Sequence, residues 1–276
     1  MSDAKPMLAG VMGWPISHSK SPRIFAHWFA AHGIEGAYVR LPVRPEDFAE
    51  VYRALGKAGF CGVNVTLPHK EAALALADEA TPAARAIGAA NMIRFEGGRI
   101  LADNTDAYGF IENLRAGAPD WDAAAGPALV LGAGGASRAV LQALLEAGCP
   151  EIRLANRTRA KAEALAAAFG LRIRVVDWEH RAAALSNAAT LANSTALGMA
   201  GQPPLAMDLS MAEPGLTVTD IVYTPLETPL LAAARAAGFA AVDGLGMLLH
   251  QARPSFRAWF GADPAVDGTL RTACLA

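Results

Sequence analysis

LVLGAGGASRAV, residues 129–140, is the stretch that decides the fold. Leu129–Leu131 read as the end of a buried strand. Gly132, Ala133, Gly134, Gly135 and Ala136 follow at once, and a helical pattern continues from there. A lone glycine pattern says little. Set between a strand and a helix, it becomes a tight turn where backbone can approach a ligand closely. The helix N-terminus then faces an anion, the arrangement that takes the pyrophosphate of a dinucleotide. The third glycine of the usual G-x-G-x-x-G pattern is replaced by Ser137, small enough for helix and strand to pack.

The strand after that helix points to the cofactor. An NAD site places an acid about 20 residues on, against the ribose 2′-hydroxyl. Here the strand ends in LANRTRAK, which has no carboxylate but supplies Asn156, Arg157, Thr158, Arg159 and Lys161. A guanidinium with amide and hydroxyl donors suits a 2′-phosphate, so NADP is favoured over NAD. Basic side chains at a helix start oppose its dipole, so a plain solvated helix explains them less well.

Outward from this point, strands and helices alternate in both directions. Downstream come EIRLANRT, RIRVVD, AATLANST and LTVTDIVY as strands, with helices at RAKAEALAAAFG and 228–237. Upstream, PMLAGVMG, GAYVRLPV and GFCGVNVT read as strands. SPRIFAHWFAAHG reads as a helix with Ser21 as N-cap, Pro22 first and Gly33 as stop. RPEDFAEVYRALGKAG reads as a helix opened by Pro45, HKEAALALADEA as another, and NMIRFEGGRILADNTD as a hairpin around Gly97–Gly98. The expected fold is α/β: two domains with open, largely parallel sheets, the second of the Rossmann type. The boundary is expected near residues 103–110. Periodicity does not place the final stretch, DGLGMLLHQARPSFRAWFG.

Polar residues collect after the strands of the first half. GVNVTLPHK, residues 62–70, begins as a strand with Val63 and Val65 on one face and Asn64 on the other, then delivers Thr66, Pro68, His69 and Lys70 together. GWPISHSKSP puts Ser17 and Ser19 in one loop. DNTDAYGF puts Asp103 and Asp106 at the hairpin's exit, where Asp103, Thr105 or Asp106 could equally cap a helix. Open α/β sheets bind ligands at strand carboxyl ends, and these clusters sit there.

Composition narrows the rest. At 276 residues, 53% hydrophobic and 18% charged, the chain is too apolar for disorder. A net charge of −2 argues against a nucleic-acid or membrane surface. Cys61, Cys149 and Cys274 show no disulfide or zinc spacing, and the histidines show no metal pattern. The start, MSDAKPMLAGVMGWP, lacks a leader's basic and apolar regions. The longest apolar run, Leu230–Leu249, is broken by Arg235 and Asp243. The expectation is a soluble cytoplasmic protein with no metal, as a monomer or a homodimer.

GWPISHSKSP, GVNVTLPHK, AANMI, DNTD, GAGGASRA, NRT and DGLGMLLHQA occur in this order from about Leu8 to Phe260. Together they resemble the shikimate dehydrogenase family. The resemblance implies an enzyme of aromatic amino-acid biosynthesis that reduces 3-dehydroshikimate to shikimate with NADPH. It implies a substrate domain at 1–105 plus 242–276 and an NADP domain at 106–241, with the active site in the cleft between them. It gives Lys70 as catalytic lysine and Asp106 as its paired aspartate. It gives Ser17 and Ser19 to the carboxylate, and Asn64, Thr66, Asn91, Tyr223 and Gln251 to the rest of the substrate. It gives Gly132, Ala133, Gly134, Gly135, Ala136, Asn156, Arg157, Thr158, Lys161 and Gly244 to the cofactor. Phe25, Met92 and Ala107 depart from the family's usual His, Thr and Gly; Met92 removes a hydroxyl beside Asn91, which bears on substrate preference. Two rivals follow: a quinate or aminoshikimate dehydrogenase using NAD or NADP, and a non-catalytic NADP-binding sensor. The sensor would be expected to lack Lys70 or Asp106, and both are present.

Overall fold

The computed structural model describes residues 7–276; residues 1–6, which include the start read above for a leader and the first residue of the first strand, lie outside it. The chain divides into two compact units. One continues to Thr105 and resumes over Leu249–Ala276; the other is Asp106–Leu248.

The first unit is built on β1 (Leu8–Gly13), α1 (Ser21–His32), β2 (Ala37–Pro42), α2 (Phe48–Ala54), β3 (Phe60–Val65), α3 (Lys70–Ala75), β4 (Glu79–Ala80), α4 (Pro82–Ile87), β5 (Met92–Glu96) and β6 (Arg99–Asp103). The sheet order is β2-β1-β3-β5-β6-β4. β1 pairs parallel with β2 and β3, while β5 and β6 form the antiparallel hairpin, so this sheet is mixed. The chain leaves β1 to one side for β2 and returns to its other side for β3. That reversal creates a crevice at the carboxyl ends of β1 and β3.

Several local readings differ from expectation. The helix expected over HKEAALALADEA ends at Ala75, and Glu79–Ala80 form β4 instead. The N-cap of α1 is Lys20, with no side-chain cap, and Ser21 is already the first helical residue. α2 starts at Phe48, not Pro45: the N–H groups of Asp47 and Phe48 bond three residues back, to Arg44 and Pro45, so the entry is a tight turn. α4 was not anticipated, though Thr81 caps it, Pro82 opens it and Gly88 ends it with φ +73°.

The second unit starts with α5 (Asp106–Gly117). β7 (Ala128–Leu131), α6 (Gly135–Glu146), β8 (Ile152–Ala155), α7 (Arg159–Phe169), β9 (Ile173–Val176), β10 (Thr190–Asn193), β11 (Thr217–Asp220), α8 (Pro229–Ala236) and β12 (Ala240–Val242) follow. Its sheet is parallel throughout, in the order β12-β11-β10-β7-β8-β9. Leu129, Leu131, Leu191, Val218 and Leu231 form part of its dry core. The order reverses between β7 and β10, which marks the ligand crevice of a doubly wound sheet.

Helices α9 (Leu245–Phe260) and α10 (Gly268–Leu275) close the chain. The end of α9 is a core element of the first unit. The Trp259 indole N–H donates to the Ile93 carbonyl at 3.0 Å, and its ring fills the space a Cβ on Gly62 would need. Phe256 and Phe260 pack with Phe25, Trp28 and Phe29 of α1. Among the described residues no helix is long and apolar enough to cross a membrane.

Candidate active site

In the first unit, the carboxyl ends of β1 and β3 carry the predicted polar residues. Ser17 is exposed and Ser19 half-buried. Their loop is held by Arg40 of β2, whose guanidinium donates twice to the Ser19 carbonyl, at 3.0 and 2.6 Å. Thr66 and Lys70 are half-buried, and Lys70 is the first residue of α3. Its carbonyl accepts the Ala90 N–H at 2.9 Å, which ties the start of α3 to the loop carrying Asn91. His69 belongs to the core: its Nε2 meets the Val43 carbonyl at 2.7 Å, and its ring stacks on Phe48.

Asn64, Asn91 and Gln251 form one buried network. The Asn64 Nδ2 donates to the Asn91 carbonyl at 3.0 Å and to Ser255 Oγ at 2.9 Å, while Tyr38 Oη donates to Asn64 Oδ1 at 2.8 Å. A carbonyl only accepts, so the Asn91 contact fixes which way the Asn64 amide points. Both N–H bonds are spent within the fold, so any further bond Asn64 makes is as an acceptor, through the second lone pair of Oδ1. The Asn91 side chain accepts the Thr105 N–H at 2.8 Å and donates to Thr105 Oγ1 and Gln251 Oε1 at 3.1 and 3.3 Å. Thr105 Oγ1 in turn donates to the Gln251 carbonyl at 2.9 Å. Burial holds the Tyr38 phenol well above its usual range, against a hydrogen bond with Ser21, so it stays a neutral donor. Asp103, by contrast, is consumed locally, accepting from Thr81 Oγ1 and the Asn104 N–H.

In the second unit, residues following β7, β8, β9 and β10 line one cavity: Gly132, Ala133 and Gly134, then Asn156 and Arg157, then Trp178, then Ser194, Thr195 and Ala196. Gly132 is set by the fold, with φ +110° and the Ser194 hydroxyl 2.8 Å from where a Cβ would sit. Gly134 and Gly135 are different. Gly134 has φ −96°, open to any residue, and a Cβ on either would meet nothing within 4 Å. The chain keeps this cradle empty where packing does not require it. A ligand approaching the backbone explains the two glycines, and a pyrophosphate over the N–H groups opening α6 fits.

Ser137 does more than fit. A directed chain runs from the Gly134 N–H to Ser137 Oγ (2.9 Å), on to Ser194 Oγ (2.8 Å) and then to the Leu131 carbonyl (2.7 Å). It pins the turn to β7 and β10. Asn156 accepts the Ala133 N–H at 3.2 Å and donates to the Thr158 carbonyl at 2.8 Å. Arg159 is held by Glu163 and Asp177, while Arg157 lines the cavity. Gly244 is explained by close backbone approach to the Ile221 and Val222 carbonyls. Tyr223 is half-buried in the loop after β11, and Asp106 is a buried residue opening α5.

Residues 11–93 match the family description "shikimate dehydrogenase substrate binding domain". Residues 120–200 match "shikimate / quinate 5-dehydrogenase", and 244–274 the "shikimate 5′-dehydrogenase C-terminal domain". A relative from Paracoccus denitrificans, named shikimate dehydrogenase (NADP(+)), is 57% identical over 98% of this chain and 96% of its own length. The chain belongs to the shikimate dehydrogenase family. A Thermus thermophilus shikimate 5-dehydrogenase solved with NADP(H) and shikimate is similar at TM-score 0.87, with 39% identity and 98% of both chains covered. A Corynebacterium glutamicum quinate dehydrogenase solved with NAD is similar at TM-score 0.91, with 31% identity over 98% of this chain and 99% of that one.

Seen within the family, Phe25 has a packing reason: it stacks on Tyr38 at 3.8 Å inside the aromatic cluster of α1 and α9. Met92 and Ala107 are buried. Thr105, Ser255 and Tyr38 escaped the sequence reading as parts of the site. Only Thr105 carried a local signal, and that signal was for a cap.

Proposed function

We propose that this chain is an NADP-dependent shikimate dehydrogenase, reducing 3-dehydroshikimate to shikimate reversibly with NADPH in the route to aromatic amino acids. One observation carries the reading. A buried network of amides and hydroxyls, Asn64–Asn91–Thr105–Gln251, is built beside the strand end that leads to Lys70. A small polyol acid is read by such groups, because a hydroxyl that leaves a buried amide unmatched is rejected.

The unit ending in α9 and α10 is assigned the substrate, and the Asp106–Leu248 unit the cofactor. When bound, NADPH supplies the hydride. The residues of the chain bind, orient and move the proton. Ser17 and Ser19 are assigned the carboxylate. Thr66, Gln251 and Tyr223 are assigned substrate hydroxyls, with Asn64 as acceptor from one of them. The Lys70 ammonium donates its proton to the ketone oxygen as negative charge gathers there, and takes it back in the oxidation. Asp106 is assigned the supporting carboxylate.

The quinate dehydrogenase solved with NAD has a closely similar fold. Against that reading here stand Arg157 in the cavity wall and the absence of a carboxylate from the end of β8, Leu154–Thr158. The test is reduction of NADP+ and NAD+ with shikimate and with quinate, followed at equal enzyme concentration. The proposal expects shikimate with NADP+ to give the highest kcat/KM. A higher kcat/KM with quinate or NAD+ would contradict it.

A further inference from the structure

We propose that the Trp178 indole is the surface on which the adenine of the dinucleotide stacks, and so a determinant of cofactor affinity in this chain. The inference rests on the NADP reading above. The strands of the second sheet run β10-β7-β8-β9 across the cavity. The turn after β7 offers the pyrophosphate cradle, and the end of β8 offers Asn156 and Arg157 for the ribose 2′-phosphate. The turn after β9 offers Trp178. Pyrophosphate, ribose and base follow one another in the same order along the adenine half of a dinucleotide. Trp178 therefore stands where the base would come.

The other lining residues are glycines, alanines, two short hydroxyls, an amide and a guanidinium. Trp178 is the one aromatic surface among them, and a base is a flat aromatic group that stacks on such a surface. The ring is half-buried and held in place beforehand. Part of it packs on the apolar core containing Leu185 and Leu205. The Arg181 guanidinium lies over the ring, 4.6 Å from its centroid, and donates to the carbonyls of Trp178 at 2.6 Å and Ala206 at 3.0 Å. A ring fixed in this way loses little freedom when a base arrives.

The test is calorimetric titration of wild type, Trp178→Phe and Trp178→Leu with adenosine 2′,5′-bisphosphate, adenosine 5′-monophosphate and inorganic pyrophosphate. The expected result is a bisphosphate Kd raised about tenfold or more in Trp178→Leu and by less in Trp178→Phe, with the pyrophosphate Kd unchanged in both. Wild-type indole fluorescence should be quenched by the bisphosphate, and less so in a Trp178→Phe variant that still binds it. Equal bisphosphate affinity in all three proteins, or undiminished quenching in Trp178→Phe, overturns the proposal. So does equal loss of bisphosphate and pyrophosphate, which marks a purely structural role. The NADP reading fails separately, if wild type holds the monophosphate as tightly as the bisphosphate.

Discussion

The Tyr38 phenol donates to Asn64 Oδ1 across 2.8 Å inside the first unit, and the Asn91 carbonyl fixes the other end of the same amide. Tyr38 is itself clamped by Phe25, stacked on its ring at 3.8 Å. The amide is thus aligned before any substrate arrives. Tyr38→Phe removes the donor and leaves a buried acceptor short of one bond. The expected cost is about 1–3 kcal/mol in urea denaturation. KM for the substrate should rise more than kcat falls, since binding rather than proton transfer is disturbed. Unchanged stability and KM would contradict this role.

The glycines of the β7–α6 turn should separate into two kinds. Gly132→Ala forces a side chain into φ +110° against the Ser194 hydroxyl, so the fold should lose stability on the order of 1–3 kcal/mol. Gly134→Ala meets nothing within 4 Å and has a permitted backbone. Its Tm without ligand should match wild type, while its Kd for NADP+ rises by an order of magnitude or more. Thermal melts with and without NADP+ distinguish the two. A Gly134→Ala protein that binds NADP+ normally would contradict the cradle.

Asp220, at the end of β11, is fully buried and accepts from Asn193, the Val222 N–H and Thr228. Desolvation raises its carboxyl above 3.8 despite those three bonds. The folded state therefore holds that proton more tightly than the unfolded chain does. This contribution is complete below the unfolded value and is lost as pH rises through the folded one. In Asp220→Asn it is absent. Relative to that variant, wild type should gain stability as pH falls from neutral toward 4. Urea midpoints of both proteins across that range provide the check; a gap that moves against wild type on acidification would contradict it.

Much of the architecture was legible locally. Gly97–Gly98 announced the hairpin, and the glycine turn between Leu131 and Gly135 announced the parallel sheet. What failed was short or distant. The two-residue β4 and the three-residue β12 are too brief to show a period. The start of α2 was misplaced because Pro45 opens a turn as readily as a helix. Ser255 meets Asn64 across 191 positions, and Gln251 meets Asn91 across 160. Such contacts exist only once the tail of the chain has folded back, so no local pattern announces them. Ser137 read as a gap in a glycine motif; its hydrogen bond to Ser194, 57 positions away, makes it a structural part of the turn.

The most direct measurement is the initial rate of NADPH oxidation at 340 nm with 3-dehydroshikimate, for wild type and Lys70→Ala at saturating substrates. Wild type should turn over, and the variant should lose about 10²–10⁴-fold in kcat with KM little changed, as removal of a proton donor requires. No oxidation by wild type, or a Lys70→Ala kcat close to wild type, would contradict the assignment of this chain and of its lysine.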